Sequence, residues 1–278
     1  MTFDQKTINR VLVLGDVHAD IKFIFDAIKM AVAIGAQAIH VVGDFGYWTH
    51  TEAGRRFLVA LDAFASAEGV LVTFTDGNHE NFDNLYEIPV DDDGWRRVMP
   101  MVWHAPRGHM WRWSNTNFLS MGGAHSINGP GGVWAQTISY GNDWWPQESI
   151  TEEEVEHAME VMADWAEANP YGEVDVMFSH DAPMSVRVPT ILPYPMAMIT
   201  RERLDRVFKM SCAKVLFHGH YHFPYMQDVH NYDMLAPCRV YGLSHNKSVE
   251  GNFAILSLPG HPAGDIVVQH STDSEFRV

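Results

Sequence analysis

The sequence predicts an α/β protein built around a largely parallel sheet, and three observations carry that prediction. Apolar, strand-like runs alternate with helical periodicity from residue 10 to about residue 80, the pattern of successive βαβ units. Five short segments, Gly15-Asp16-Val17-His18, Gly43-Asp44, Gly77-Asn78-His79-Glu80, Ser179-His180-Asp181 and Gly219-His220-Tyr221-His222, place metal-binding side chains at the ends of such runs. The 278 residues are 46% apolar and 19% charged, a globular balance that allows a sizeable core. One domain spanning residues 1–278 is the expectation.

The elements follow in order. Residues 10–14 read as a strand, 21–34 as a helix, 37–42 as a strand, 52–67 as a helix and 69–74 as a strand. Asp16, Asp44 and Asn78 each follow one of these strands, where open α/β sheets collect their functional loops. Between 95 and 122 the chain turns to short Trp- and Met-rich segments that read as antiparallel strands and the start of a second sheet. Residues 122–146 read as a long glycine- and aromatic-rich loop. An acidic helix follows over 151–168, with Thr151 and Glu154 spaced as a capping box and Met159 and Met162 as core residues.

A strand over 174–179 then delivers His180. Four prolines between residues 182 and 195 exclude a regular helix or central strand, so this stretch reads as an ordered surface loop, a lid or an oligomer contact. A helix over 200–209, a strand over 214–217 and three or four short strands complete the chain.

The formal net charge of −16 argues against affinity for a long nucleic-acid backbone, which is held mainly by Lys and Arg. Bound metals can still make a cleft on an acidic protein locally positive. Two cysteines, Cys212 and Cys238, form no CxxC pattern and read as reduced core residues. The N-terminus carries no signal-peptide stretch and no apolar run approaches transmembrane length, so a cytoplasmic protein without membrane contact is expected.

In an extended chain residues i and i+2 point to the same side, so Asp16 with His18, and His220 with His222, can each present two ligands to one place. Either pair alone is weak evidence in a chain with sixteen histidines. The conjunction is strong, because all five segments follow strands and nearly all sit beside a glycine or small residue. Mixed oxygen and nitrogen donors suit first-row divalent metals that activate water.

With these motifs in this order, D-x-H, G-D, G-N-H-E, H and G-H-x-H, the chain resembles the calcineurin-like metallophosphoesterases over residues 11 to about 225. The resemblance implies a four-layer α/β/β/α sandwich of two mixed sheets with a dinuclear site at one edge. It implies one metal held by Asp16, His18 and His222, a second held by Asn78, His180 and His220, and Asp44 bridging them. His79 corresponds to the family's histidine that contacts the phosphate and protonates the leaving oxygen. Glu80 and Asp181 are expected to orient imidazoles. The implied chemistry is direct in-line hydrolysis by a hydroxide bridging two divalent ions, with manganese preferred and iron, zinc or nickel compatible.

Departures from the family pattern inform the substrate. The protein phosphatases continue their second motif as G-D-x-V-D-R-G, placing an arginine on a dianionic monoester, whereas this chain reads Gly43-Asp44-Phe45-Gly46-Tyr47-Trp48. Without that bidentate clamp a singly charged phosphodiester, such as a cyclic nucleotide, is the expected substrate. A monoesterase or protein phosphatase, a nuclease, or a non-catalytic metal-binding scaffold are the alternatives. Gly122-Gly123-Ala124-His125-Ser126 followed by Trp144-Trp145-Pro146-Gln147-Glu148 resembles a signature of a bacterial and phage subgroup. His125 is read as a substrate contact or a structural residue, His218 is unassigned, and Trp48, Trp134, Trp144 and Trp145 are read mainly as burial.

Overall fold

Burial on both faces explains why the first strands are mostly apolar, and their polar exceptions, His40 on one strand and Thr73 and Thr75 on the next, bond to one another. In the computed structural model, which describes residues 7–126, 140–141, 144–169, 172–189, 195–230, 236–260 and 264–273, β1 (Arg10–Leu14), β2 (Ala38–Val42) and β3 (Leu71–Thr75) are parallel neighbours with almost every residue buried. Helices α1 (Ile21–Ile34) and α2 (Glu52–Glu68) connect them. Asp20 caps α1 by accepting from the N–H groups of Lys22 and Phe23, and Thr51 caps α2 by accepting from Gly54.

A short helix, α3 (Phe82–Glu87), follows β3. Next come β4 (Arg96–Met99) and β5 (Val102–Ala105), and here the expectation of a second sheet from residue 95 is corrected. β5 pairs in parallel with β3, and β4 lies antiparallel on its outer side, so both belong to the first sheet. The second sheet starts at β6 (Met110–Trp113). The change in composition misplaced the boundary because Trp95, Trp103, Trp111 and Trp113 all pack into the one apolar layer between the two sheets, whichever sheet carries them.

The second sheet contains β6, β7 (Thr116–Met121), β8 (Val176–Ser179), β9 (Val215–His218), β10 (Tyr225–Val229) and β11 (Cys238–Gly242), in the order β10-β11-β9-β8-β7-β6. β12 (Phe253–Ser257) and β13 (Val267–His270) return to the first sheet, ordered β13-β12-β1-β2-β3-β5-β4. Each sheet is therefore mixed, with four parallel strands flanked by antiparallel ones.

Three apolar layers set the four-layer arrangement. One joins α1 and α2 to the first sheet through residues such as Ile24, Ile28, Phe57 and Leu61. The second lies between the sheets. The third joins the second sheet to α4 (Glu152–Ala168) and α5 (Pro195–Ser211) through Val155, Met162, Leu204 and Phe208. Thr151 and Glu154 form the reciprocal capping box at the start of α4.

α5 begins at Pro195, earlier than the expected residue 200. A proline at the first helical position removes an N–H that has no partner in the helix, so the residue that argued against a helix is here its first. Cys238 is buried, as expected of a core residue, whereas Cys212 at the end of α5 is only half-buried; neither is joined in a disulfide. Among the described residues no helix is long and apolar enough to cross a membrane.

Candidate metal centre

β1, β2 and β3 are adjacent in one sheet, and β8 and β9 are adjacent in the other, so the five loops leaving their carboxyl ends meet at one edge of the sandwich. Asp16, His18, Asp44 and His222 each bring a donor atom within 4.8 Å of the others'. The donors of Asn78 and His180 lie alongside: His180 Nε2 is 3.1 Å from Asn78 Oδ1 and 3.4 Å from Asp44 Oδ1. The His220 ring centroid lies 5.0 Å from that of His180. Asp44 stands between the two groups, with Oδ2 3.4 Å from His18 Nε2 and Oδ1 turned toward His180.

The backbone is bent to make this convergence. Of the seven non-glycine residues with positive φ among the described residues, four are candidate ligands: His18 (49°), Asp44 (43°), His220 (69°) and His222 (54°). Such conformations cost on the order of 1–3 kcal/mol each and persist where the surroundings impose them, which is characteristic of functional sites. The motif glycines permit the close approach of neighbouring loops. A Cβ on Gly43, itself at φ 98°, would stand 2.1 Å from His180 Nδ1, and one on Gly219 would stand 2.1 Å from Asp16 Oδ1.

Each loop is also hydrogen-bonded to another. Asp44 Oδ1 accepts from the backbone N–H groups of Asn78 and His79, both at 3.0 Å. Asp16 Oδ1 accepts from His220 N at 3.2 Å. Glu80, expected to orient an imidazole, instead accepts from three successive backbone N–H groups, those of Phe45, Gly46 and Tyr47, and so clamps the turn after Asp44. Asp181 likewise touches no imidazole among the described hydrogen bonds. It accepts from Tyr221 Oη and Ala182 N, while His180 is oriented by its Nδ1–H donating to the Val42 carbonyl at 2.9 Å.

The electrostatics suit a cation. Burial opposes the ionised form of Asp44, but His180, His79 and His18 hold its carboxyl well below the usual range. Burial also works against a charged His180, yet Asp44 lifts that imidazole to about 10. Burial and the neighbouring His180 push His220 well below the usual imidazole range, leaving a neutral nitrogen donor. Asp16 Oδ2 is fully buried without a hydrogen-bond partner, although His222 Nε2 lies 2.9 Å away. A buried carboxylate oxygen with no hydrogen-bond partner, facing an imidazole nitrogen among mixed oxygen and nitrogen groups, fits a first-row divalent ion.

His79 is half-buried at the mouth, its ring centroid 6.2 Å from that of His18, with its carbonyl held by Trp48 Nε1 at 2.6 Å. His245 was missed in the sequence. Its ring stacks on His222 at 4.3 Å with 6° between planes, and only its place just after β11 could have flagged it. His125 turns its Nδ1 to Ser149 Oγ and is buried, and His218 is a core residue bonded to Tyr225 Oη at 2.5 Å. Trp145 is buried, whereas Trp134 lies outside the described residues.

The profile of the calcineurin-like phosphoesterases matches residues 9–224, and the chain belongs to that family. Phosphoric ester hydrolysis is accordingly its class of reaction. Solved structures with the same fold include a dimetal phosphatase from Danio rerio, with 13% identity, a TM-score of 0.58, and 95% of this chain and 99% of that one covered. The protein TT1561 of Thermus thermophilus is similar at 12% identity and a TM-score of 0.52, covering 95% of this chain and all of the other. No curated protein sequence matches this chain.

Proposed function

We propose that this protein is a cytoplasmic two-metal hydrolase of small phosphodiesters, cyclic nucleotides among them. In this reading Asp16, His18 and His222 would hold one ion, Asn78, His180 and His220 would hold the other, Asp44 would serve both, and Mn2+ is the preferred metal. When bound, the ions activate the attacking water and neutralise charge on the phosphoryl oxygens.

The chain's own residues do the rest. Asp44 keeps the Asn78-His79 turn fixed through its two backbone hydrogen bonds, and Trp48 holds the His79 carbonyl. The His79 imidazole, placed at the mouth by those contacts, gives its proton to the leaving oxygen, a contribution of roughly 10²–10⁴-fold for poor leaving groups.

The observation that carries the diester reading is the absence of a guanidinium in the ion pairs of the site among the described residues. Asp16 and Asp44 pair with histidines. The two buried arginines spend their donors elsewhere: Arg107 on Asp76, Glu154 and three carbonyls, Arg201 on the carbonyls of Ala182, Pro183 and Val186. A mouth lined by half-exposed imidazoles offers less charge to a dianion than a bidentate arginine does.

Steady-state rates with Mn2+ on a monoester, an acyclic diester, 2′,3′- and 3′,5′-cyclic nucleotides and single-stranded DNA test the proposal. It expects the highest kcat/KM on a small diester. A monoester preference overturns the substrate assignment, and a preference for DNA replaces it with a nuclease.

A further inference from the structure

Asn78 is ambiguous as a ligand, because an amide can present either its oxygen or its NH2 group, and only the oxygen can coordinate. The surrounding hydrogen bonds decide which end faces inward. Asn78 Nδ2 donates to Ser126 Oγ at 2.9 Å, Ser126 Oγ donates to Glu148 Oε2 at 2.9 Å, and Ser126 N donates to Glu148 Oε1 at 2.7 Å. With its single hydroxyl proton committed to the Glu148 carboxylate, Ser126 can only accept from Asn78. The NH2 group must then point to Ser126, leaving Oδ1 toward His180 Nε2, 3.1 Å away.

Asn78, Ser126 and Glu148 are 3%, 2% and 0% exposed, so water does not supply these bonds. The turn bearing Glu148 is itself pinned. Arg107 donates to the carbonyls of Gln147, Glu148 and Ser149, and its Nε donates to Asp76 Oδ2 at 2.9 Å. Asp76 stands two residues before Asn78, so the bonds close a ring that starts and ends on the loop after β3.

We infer that Ser126 and Glu148 are positioning residues that lock the Asn78 amide with its oxygen facing the metal centre. This rests on the two-metal reading above and assigns the distant Glu148 a purpose in it. Burial lifts the Glu148 carboxyl to about 8, while the two Ser126 donors work in the opposite direction. A cation held by Asn78 favours the ionised acceptor further.

Glu148→Gln is the discriminating change, since an amide can accept only one of the two Ser126 donors. With its NH2 group toward Ser126 Oγ, the serine proton is no longer held by residue 148 and can point to Asn78, which removes the constraint on that amide. The test is Mn2+ titration of the whole chain by calorimetry under argon at pH 8.5, with the thermal midpoint as a folding check. Wild type is expected to bind two ions, and Glu148→Gln to bind one of them about 10–100-fold more weakly. Ser126→Ala, which keeps the remaining backbone of the turn, is expected to do the same if Glu148→Gln does not fold.

Asn78→Asp supplies the readout that a merely structural role would not move. A carboxylate has no wrong end, so Glu148→Gln is expected to have little further effect on Mn2+ affinity in that background. Unchanged affinity in Glu148→Gln, or an equal loss in both backgrounds, overturns the inference. Fewer than two ions on wild type instead overturns the two-metal reading itself.

Discussion

The donors on either side of Asp44 are supported in different ways. On the open side the His18 and His222 side chains are 23% and 42% exposed, and they are aimed mainly by left-handed backbone and by the stack of His222 on His245. On the closed side His180 is fully buried and tied to Val42, and Asn78 is tied through Ser126 to Glu148. On the proposed assignment the closed side is set before an ion arrives, whereas the more exposed open side would be where ions exchange and substrate enters. Both kinds of support recur in metal sites, where the partners of ligands matter nearly as much as the ligands.

Removing what the two sides share has the largest expected effect. Asp44→Asn should lower kcat/KM by more than the roughly 10²–10⁴-fold of a lost general acid, because both proposed ions would lose a charged donor. Activity within tenfold of wild type would dissolve the comparison, since Asp44 would then belong to neither side. Next in size, His79→Ala should cost roughly 10²–10⁴-fold on an alkyl diester and much less on a nitrophenyl ester, whose leaving group needs no proton. Equal losses on both would remove His79 from proton transfer.

How much of this could be read from the chain depends on how far apart the partners lie. The candidate ligands were legible because each closes an apolar strand in a short motif, and the strands and helices up to residue 75 fall within a few residues of their expected places. Which residues those ligands bond to was not legible, although Glu80, Ser126 and Glu148 all stood out in the motifs. Glu80 sits beside Asn78 in sequence but serves the Asp44 turn 33 to 35 residues away, a pairing made only when β2 and β3 align. Glu148 reaches Asn78 through Ser126, across 48 residues between asparagine and serine. β5 joined the first sheet for the same reason, since pairing with β3 leaves no local mark on Val102-Trp103-His104-Ala105.

Proton linkage gives a smaller effect that separates the two sides. Free His180 is held protonated by Asp44, with its imidazole raised to about 10, so an ion on the closed side must displace that proton. The sign follows: because the raised value favours the proton, affinity for that ion should climb with pH, by up to about tenfold per unit, and level off near 10. Isothermal titration in buffers of different ionisation enthalpy would read the proton release, and His180→Ala should abolish its closed-side share. The smallest change expected is in His245→Ala, which removes a stacking partner of His222 and no proposed ligand. A few-fold weakening of the open-side ion with the closed side unaffected would sharpen the comparison, and a matching loss on both sides would blur it.

The central claim, that two ions are held on unlike sides of Asp44, is tested most directly by counting Mn2+ at equilibrium on wild type, His180→Ala and His222→Ala. The account predicts two ions per chain on wild type and one on each variant, with the ion that remains on His222→Ala the slower to leave in excess chelator. At most one ion on wild type, or two on either variant at unchanged affinity, would contradict it.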